Sequence, residues 1–484
     1  MEKSILKHAG RSFLTSATLT SRNTSAENAE NAHDNVIKTN NMFGAKKIIQ
    51  GFNYFIAVVI FLGMIACSKD NGGGNSKISG SVSDNGGNLK SYGDGQSVKS
   101  SEAGIEGATV IIAEVQANGS LNTVSTQSVQ TDINGKFTVE TTLSGAKNLV
   151  VVASKGAMEW KTVVSAEVKS GTTVYAQPLN TESTAEAEVY ARLKASGKLN
   201  TVSQADMQLY INSEVAAQIK GNASMQDQFI SALEAKQQAH AQASSNAYFG
   251  ITNTQMQAIT DAKVQAQVAF EAALYNAGDS QSSAEDQFNT YQSAIISAYT
   301  NANVKAETYA KLSEISSKVF VNATASMSSQ TYFACAKSNY LRIAFITKQA
   351  IDAKFQETGA SSSQVSAIAS AGVTLSASIK NSVSISQIIN AFAQYHSAVV
   401  AQLKLTFSAQ ATNIDIIEAS LSSVGGAATV LRASVGVSAS TDVIINAYLS
   451  FFNSTKTLIQ NSLTGVSATQ VNAAVEILVM SNMN

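Results

Sequence analysis

His240 in AHAQA and His396 in QYHSA are the only histidines beyond residue 67, and neither stands in H-E-x-x-H or another metal-ligand spacing. Each reads as a polar-face histidine or a satisfied core histidine. Cys335, in TYFACAKSN, sits among aromatic residues and reads as a small buried apolar side chain, as free cysteines most often are. The carboxylates Asp227, Glu234, Asp261, Glu271, Glu285 and Asp286 are scattered along a helical pattern, and spacing alone does not pair them as the two acids of a glycosidase. Asp84 and Asp94 lie among glycines without the regular ligand spacing of a calcium loop, so Asp84 to Ala103 reads as a polar loop. No G-x-S-x-G elbow, P-loop or dinucleotide fingerprint occurs. No catalytic, metal or cofactor-binding residue is expected, and the chain reads as a non-enzyme. The one residue placed for a defined reaction is Cys67, which closes the apolar run Phe55 to Cys67, FIAVVIFLGMIAC.

Lys46 and Lys47 precede that run, Ala66 stands just before the cysteine, and the polar SKDNGGGN follows. This is the charged, apolar and small-residue order of an export signal. The stretch resembles the lipobox of bacterial lipoproteins, with Met64 where leucine is usual. The resemblance implies that diacylglycerol joins Cys67, that cleavage precedes it, and that the product is held at the outer membrane, on its periplasmic or its surface face. Gly51 to Ala66 spans 16 residues and contains Asn53, short of the roughly 20 apolar residues of an uncleaved membrane anchor. Residues 1–41 read as a disordered upstream extension, with translation expected from Met42, residues 42–66 as the signal and 67–76 as a flexible tether.

From Cys67 onward the chain carries 26 basic and 30 acidic residues, about −4 in all. That excludes the basic excess of a nucleic-acid footprint. The remaining length, in a chain 44% hydrophobic, is enough for two domains with real cores. The sole proline, Pro178, marks their boundary, because between a last strand and a first helix it removes no hydrogen bond.

Residues 77–178 are glycine-punctuated and β-branched. KISGSVS (77–83), ATVIIAEV (108–115), NTVSTQSVQTD (122–132), GKFTVETTL (135–143), NLVVVASKG (148–156), WKTVVSAEV (160–168) and TTVYAQ (172–177) predict seven short strands in an antiparallel β-sandwich. Asn134-Gly135 predicts a tight hairpin that points Phe137 and Val139 inward. Ile78-Ser79-Gly80-Ser81-Val82, Gly104-Ile105-Glu106-Gly107-Ala108-Thr109-Val110, Thr131-Asp132-Ile133-Asn134-Gly135-Lys136-Phe137 and Val150 to Gly156 resemble the carboxypeptidase regulatory-like domains. That resemblance implies a transthyretin-like or Ig-like sandwich acting as an accessory, noncatalytic module in a Bacteroidetes-type lipoprotein.

Residues 180–484 read as a large all-α domain. Ser183-Thr184-Ala185-Glu186 forms a capping box, and Ser203 to Asp206 resembles one. Met207, Ile211, Val215 and Ile219 recur every four residues, and Phe288, Tyr291, Ile295 and Ala298, like Tyr309, Leu312, Ser316 and Val319, follow a three-four rhythm. Breaks near Gly221, Gly250, 276–280, 359–363, Gly425-Gly426 and Gly465 predict about ten helices, with a subdomain break near 325–340 or 359–363. From Ser361 to Asn484 only eight residues are acidic or basic: Lys380, Lys404, Asp415, Glu418, Arg432, Asp442, Lys456 and Glu476. Exposed helical faces normally carry charged pairs; one of hydroxyls and amides points to an extracellular surface or to packing against another copy.

The sequence therefore predicts a noncatalytic, lipid-anchored envelope protein whose sandwich supports a helical binding or assembly domain. Its partners would be membrane lipid through Cys67 and a protein, or a second copy, through the helices. The alternatives are a subunit of a surface assembly or adhesin, and an enzyme of unrecognised class in the helical domain.

Overall fold

The computed structural model describes residues 75–83, 104–125, 127–146, 149–277 and 281–483. The upstream extension, the signal, Cys67, the tether as far as residue 74 and the polar loop of 84–103 lie outside the described residues. The strands are β1 (Ser76–Ser81), β2 (Thr109–Val115), β3 (Leu121–Thr123), β4 (Val129–Gln130), β5 (Lys136–Thr141), β6 (Leu149–Lys155), β7 (Met158–Val164) and β8 (Thr173–Tyr175). They form two sheets, β5-β1-β8 and β3-β2-β6-β7, with β4 also paired to β2. The expectation of a wholly antiparallel arrangement is corrected at one edge, where β1 and β8 run parallel. The single strand expected over 122–132 is two short ones.

TDINGKF does not make a hairpin within one sheet. It carries the chain from β4 in the second sheet to β5 in the first. Asp132 Oδ1 accepts the amides of Asn134 (2.9 Å) and Lys136 (2.8 Å), and Gly135 takes φ +71°. A side chain there would be strained by that backbone, and its Cβ would lie 2.4 Å from the Val82 carbonyl oxygen. Gly80 faces Phe137 across the β1–β5 ladder, and a Cβ on it would meet the ring at 2.5 Å. The glycines of these motifs thus let two backbones and one aromatic ring approach closely. Gly135→Ala is expected to destabilise the protein by about 2–4 kcal/mol. Urea unfolding would show this as a lower midpoint at unchanged slope; an unchanged midpoint would contradict it.

The centre of the second sheet is buried on both faces, while its edge strand β3 is exposed. Val110, Ile112, Leu149, Val151, Ala153, Trp160 and Val164 face the first sheet and pack against its Ile78, Phe137 and Val139. Ala113, Val115, Val150, Val152 and Val163 join the helical core instead. Alternate side chains of β6 therefore enter two different cores, which explains its uninterrupted β-branched run.

The helices are α1 (Thr181–Ala195), α2 (Gln204–Tyr210), α3 (Ser213–Ile219), α4 (Ala223–Ser244), α5 (Asn253–Ala277), α6 (Gln281–Asn301), α7 (Ala306–Thr324), α8 (Ser329–Glu357), α9 (Ser362–Lys380), α10 (Ile385–Thr406), α11 (Ala411–Ser422), α12 (Ala427–Ser434), α13 (Thr441–Ser462) and α14 (Ala468–Ser481). α1 packs on β7, and α7 and α8 run through the interior against α4, α9 and α14. All the expected breaks occur. Further breaks at 302–305, 325–328 and 381–384 raise the helix number above the expected ten. The capping box is moved: Asn180 is the N-cap and Ser183 its reciprocal partner, while Glu186 is buried and accepts the Gln177 amide at 2.6 Å. Met207, Ile211, Val215 and Ile219 are all fully buried, though on two short helices broken at Ile211-Asn212. The described residues belong to one compact unit, and neither 325–340 nor 359–363 divides it.

Candidate functional site

A cluster of buried charge lies where α2, α4, α5, α7 and α8 meet. Ser203 caps α2 by accepting the Asp206 amide, which fixes the carboxylate of Asp206 in the interior. Lys263 reaches it at 3.1 Å. Arg342 on α8 donates to the hydroxyls of Tyr210 (2.6 Å) and Tyr309 (2.8 Å) and stacks 5.2 Å from the Tyr210 ring centroid. Lys236 on α4 is buried with its ammonium 5.2 Å from that same ring centroid. Burial works against the Asp206 charge, but Lys263 and Lys236 hold its carboxyl far below the usual range. Burial pushes Lys236 down to about 7, partly opposed by Asp206. One turn along α4, His240 Nε2 shares a 2.9 Å hydrogen bond with the Tyr299 hydroxyl, and its Nδ1 has no partner. Burial, with Lys236 and Lys263 nearby, keeps His240 well below its ordinary value, so the ring is neutral. His240 is therefore a core histidine rather than a polar-face one, satisfied at Nε2 but not at Nδ1.

A second polar knot joins the sheet to the helices. Glu271 on α5 accepts the Ser165 amide (3.2 Å), the Ser165 hydroxyl and the Gln208 amide (2.9 Å) just beyond the end of β7. Burial drives Glu271 up to about 7 despite these donors. On α7, burial likewise raises Glu314 to about 7, beside the Tyr448 hydroxyl at 3.4 Å.

The third knot ties down the C-terminal helix. His396 Nε2 meets Glu418 at 2.7 Å, and its Nδ1 meets the Ser481 hydroxyl at 3.0 Å. Hydroxyl, imidazole and carboxylate stand in the order of a hydrolytic triad. Ser481, however, is only 4% exposed and ends α14, where the negative end of the helix dipole opposes an oxyanion. The arrangement links three helices. Nothing in the spacing of the three residues in sequence could have found it.

The other expected residues stay apart. Asp227 pairs with Arg192, Glu234 with Lys198 at 2.7 Å and Glu285 with Lys380 at 2.6 Å, while Asp261 accepts from Gln257. Cys335 is fully buried, and burial raises its thiol to about 12, which leaves it inert. Among the described residues no three His, Cys, Asp or Glu side chains gather as a metal site.

What faces outward is different. α9, α10, α11 and α12 each bury one stripe, such as Ile368, Leu375 and Ile379 on α9, and leave the remainder to solvent. Nine of the thirteen large hydrophobic side chains exposed among the described residues lie between Val373 and Val443. The charges of this region are mostly spent: Lys404 pairs with Asp415 (2.6 Å), Glu476 with Lys311 (2.8 Å) and Glu418 with His396, while Arg432 and Asp442 hydrogen-bond amide side chains. Between α9 and α10 runs a shallow groove of about 650 Å³, lined by Val373, Thr374, Ala377, Asn381, Gln387 and Asn390 among others. Ser408–Ser434 is long and apolar enough to cross a membrane by length and composition, but it is broken into α11 and α12 by the turn before Ala427.

Comparison with protein-family models, with curated proteins and with solved structures finds no match.

Proposed function

We propose that this chain is a noncatalytic, lipid-anchored envelope protein in which the β layers support a helical body used for binding or assembly. The observation that carries the reading is the contrast between interior and surface. Among the described residues many interior polar groups link one element to another, though some, such as His240 Nδ1, have no partner, whereas the outer face of α9 to α12 offers amides, hydroxyls and scattered Val, Ile and Leu side chains with few charges. Binding surfaces are depleted of charge in just this way.

The finer reading of the strands as a carboxypeptidase regulatory-like sandwich draws support from Gly80 beneath Phe137 and from the close approach of Gly104 and Gly135. A module of that kind is accessory, and here its second sheet is the seat of the helical body. The anchor rests on the sequence around Cys67. Expressed in a Gram-negative host, the full gene is expected to yield a diacylated product beginning at Cys67, and Cys67→Ala is expected to abolish that mass. An unlipidated chain that keeps residues 42–66 would overturn the anchor.

A further inference from the structure

Where α2, α4, α7 and α8 meet, burial leaves more hydrogen-bond donors than acceptors and more positive charge than negative. Arg342 donates to the hydroxyls of Tyr210 and Tyr309, so each hydroxyl still has its own proton to place. Among the described residues neither proton has an acceptor, and the buried Lys236 ammonium, over the Tyr210 ring, has none either. His240 adds a fourth donor. Its Nε2 is the polar neighbour of the Tyr299 hydroxyl and accepts that proton, which puts the ring proton on Nδ1, buried and unpartnered. Tyr309 is common to these groups: Arg342 donates to it, the His240 ring lies edge-on at 6.4 Å from its ring, and it acts on the Lys236 charge. The charges are unequal as well. Lys236, Lys263 and Arg342 share a single carboxylate, Asp206, whose oxygens are taken by Lys263 and by the Ser203 hydroxyl.

We infer that this interior cluster binds a small monovalent anion of the halide class, held by the Lys236 ammonium, the Tyr210 and Tyr309 hydroxyls and His240 Nδ1, with Arg342 positioning the two hydroxyls. Lys236 and His240 stand one turn apart on the same face of α4, about 6 Å along its axis, so one ion lies within reach of both. An unpartnered buried cation is costly, and it is relieved either by losing its proton or by gaining a counter-charge. Burial already draws Lys236 down to about 7. Loss of that proton answers the charge, but the neutral amine supplies a single lone pair for three waiting donors, Tyr210, Tyr309 and His240. One anion answers both the charge and the donors. The cost of dehydration grows with the square of the charge, so a divalent phosphate or sulfate would cost about four times as much to bring inside as a halide. A spherical ion also makes no demand on the order in which donors from three separate helices surround it.

The site is independent of the anchor and of the outer helical face. Its test is thermal unfolding of the full chain in non-ionic detergent, in potassium chloride and in potassium gluconate at equal ionic strength, gluconate being too large for an enclosed site. The wild-type midpoint is expected to be higher in chloride and to climb with chloride concentration, because an ion bound by the folded form alone stabilises it by mass action. Lys236→Met, close in volume, should unfold at the same temperature in both salts. Tyr309→Phe should need at least about tenfold more chloride for the same shift, the loss expected of one hydrogen bond to a charged group. Crystals grown in sodium bromide should show an anomalous peak within hydrogen-bond reach of Lys236 Nζ. Equal wild-type midpoints in the two salts would overturn the inference and leave Lys236 a neutral amine. A chloride response that Lys236→Met and Tyr309→Phe both retain, or bromide found only at the surface, would overturn it too. If circular dichroism shows that Lys236→Met does not fold, Tyr309→Phe and the position of the bromide decide the matter.

Discussion

Asp206→Ala is expected to lower stability by about 3–5 kcal/mol, because it strips the one carboxylate from a site that buries Lys236 and Arg342 and holds the half-buried Lys263. Breaking a buried pair leaves the remaining cations without compensation, and the loss exceeds the net worth of the pair itself. The contrasting variant is Lys236→Met. The residue is 3% exposed, its ammonium lies over the Tyr210 ring without a direct ion pair, and its chain volume is close to that of methionine. Removing that charge is expected to change stability by less than about 1 kcal/mol or to raise it. The two effects are coupled: in the double variant part of the Asp206→Ala loss should return, since one of the stranded cations has gone. Urea unfolding of the four proteins gives the cycle. If Lys236→Met destabilises as much as Asp206→Ala, Lys236 makes a favourable interior contact and the account of the cluster fails.

Stability should pass through a minimum near neutral pH. Glu271 and Glu314 have folded-state values raised by burial from 4.5 to about 7, so the folded form favours their protonated state. Their contribution is complete below pH 4.5 and is lost as pH rises through 7, by up to about 3 kcal/mol each. Lys236 acts with the opposite slope. Burial lowers it from 10.5 to about 7, so its penalty is full below pH 7 and is relieved as pH rises towards 10.5. Asp206, held down by Lys263 and Lys236 against burial, withdraws its stabilisation only as pH falls below its ordinary value of 3.8. Glu271→Gln isolates one carboxyl. Whatever constant offset the amide brings, the difference between wild type and Glu271→Gln is expected to shift in favour of the variant by about 3 kcal/mol between pH 4.5 and 8. A difference that does not move with pH would mean that Glu271 stays ionised at its Ser165 and Gln208 donors throughout.

The sequence was most legible where a residue's own backbone or a short-range period decides its place. Pro178 could stand only between the last strand and the first helix, and β8 ends at Tyr175 while α1 opens at Thr181. The stripes of α6 and α7 are buried as their three-four rhythm requires. It was less legible where local signals compete. Ser183 to Glu186 has the form of a capping box, yet Asn180 caps α1, because its carboxamide accepts the Ser183 amide and leaves Glu186 free to turn inward towards Gln177. The Asn134-Gly135 turn was visible, but not that it leads out of one sheet and into the other.

The amino-acid sequence by itself determined the division into a β part and a helical part, the breaks at glycine, the lack of a net basic excess, and the low charge of the last third of the chain. These follow from composition, from periods of two and three to four, and from residues with few allowed conformations. Only the tertiary structure decided that the centre of the second sheet is covered on both faces, that Asp206, Lys236, Lys263 and Arg342 share one site across 137 positions of sequence, and that His396 joins Glu418 to Ser481. A charged residue on a helix has the same local propensity whether it meets water or an opposite charge from a distant helix. Its burial is fixed by which helices pack together, and that is a property of the assembled core.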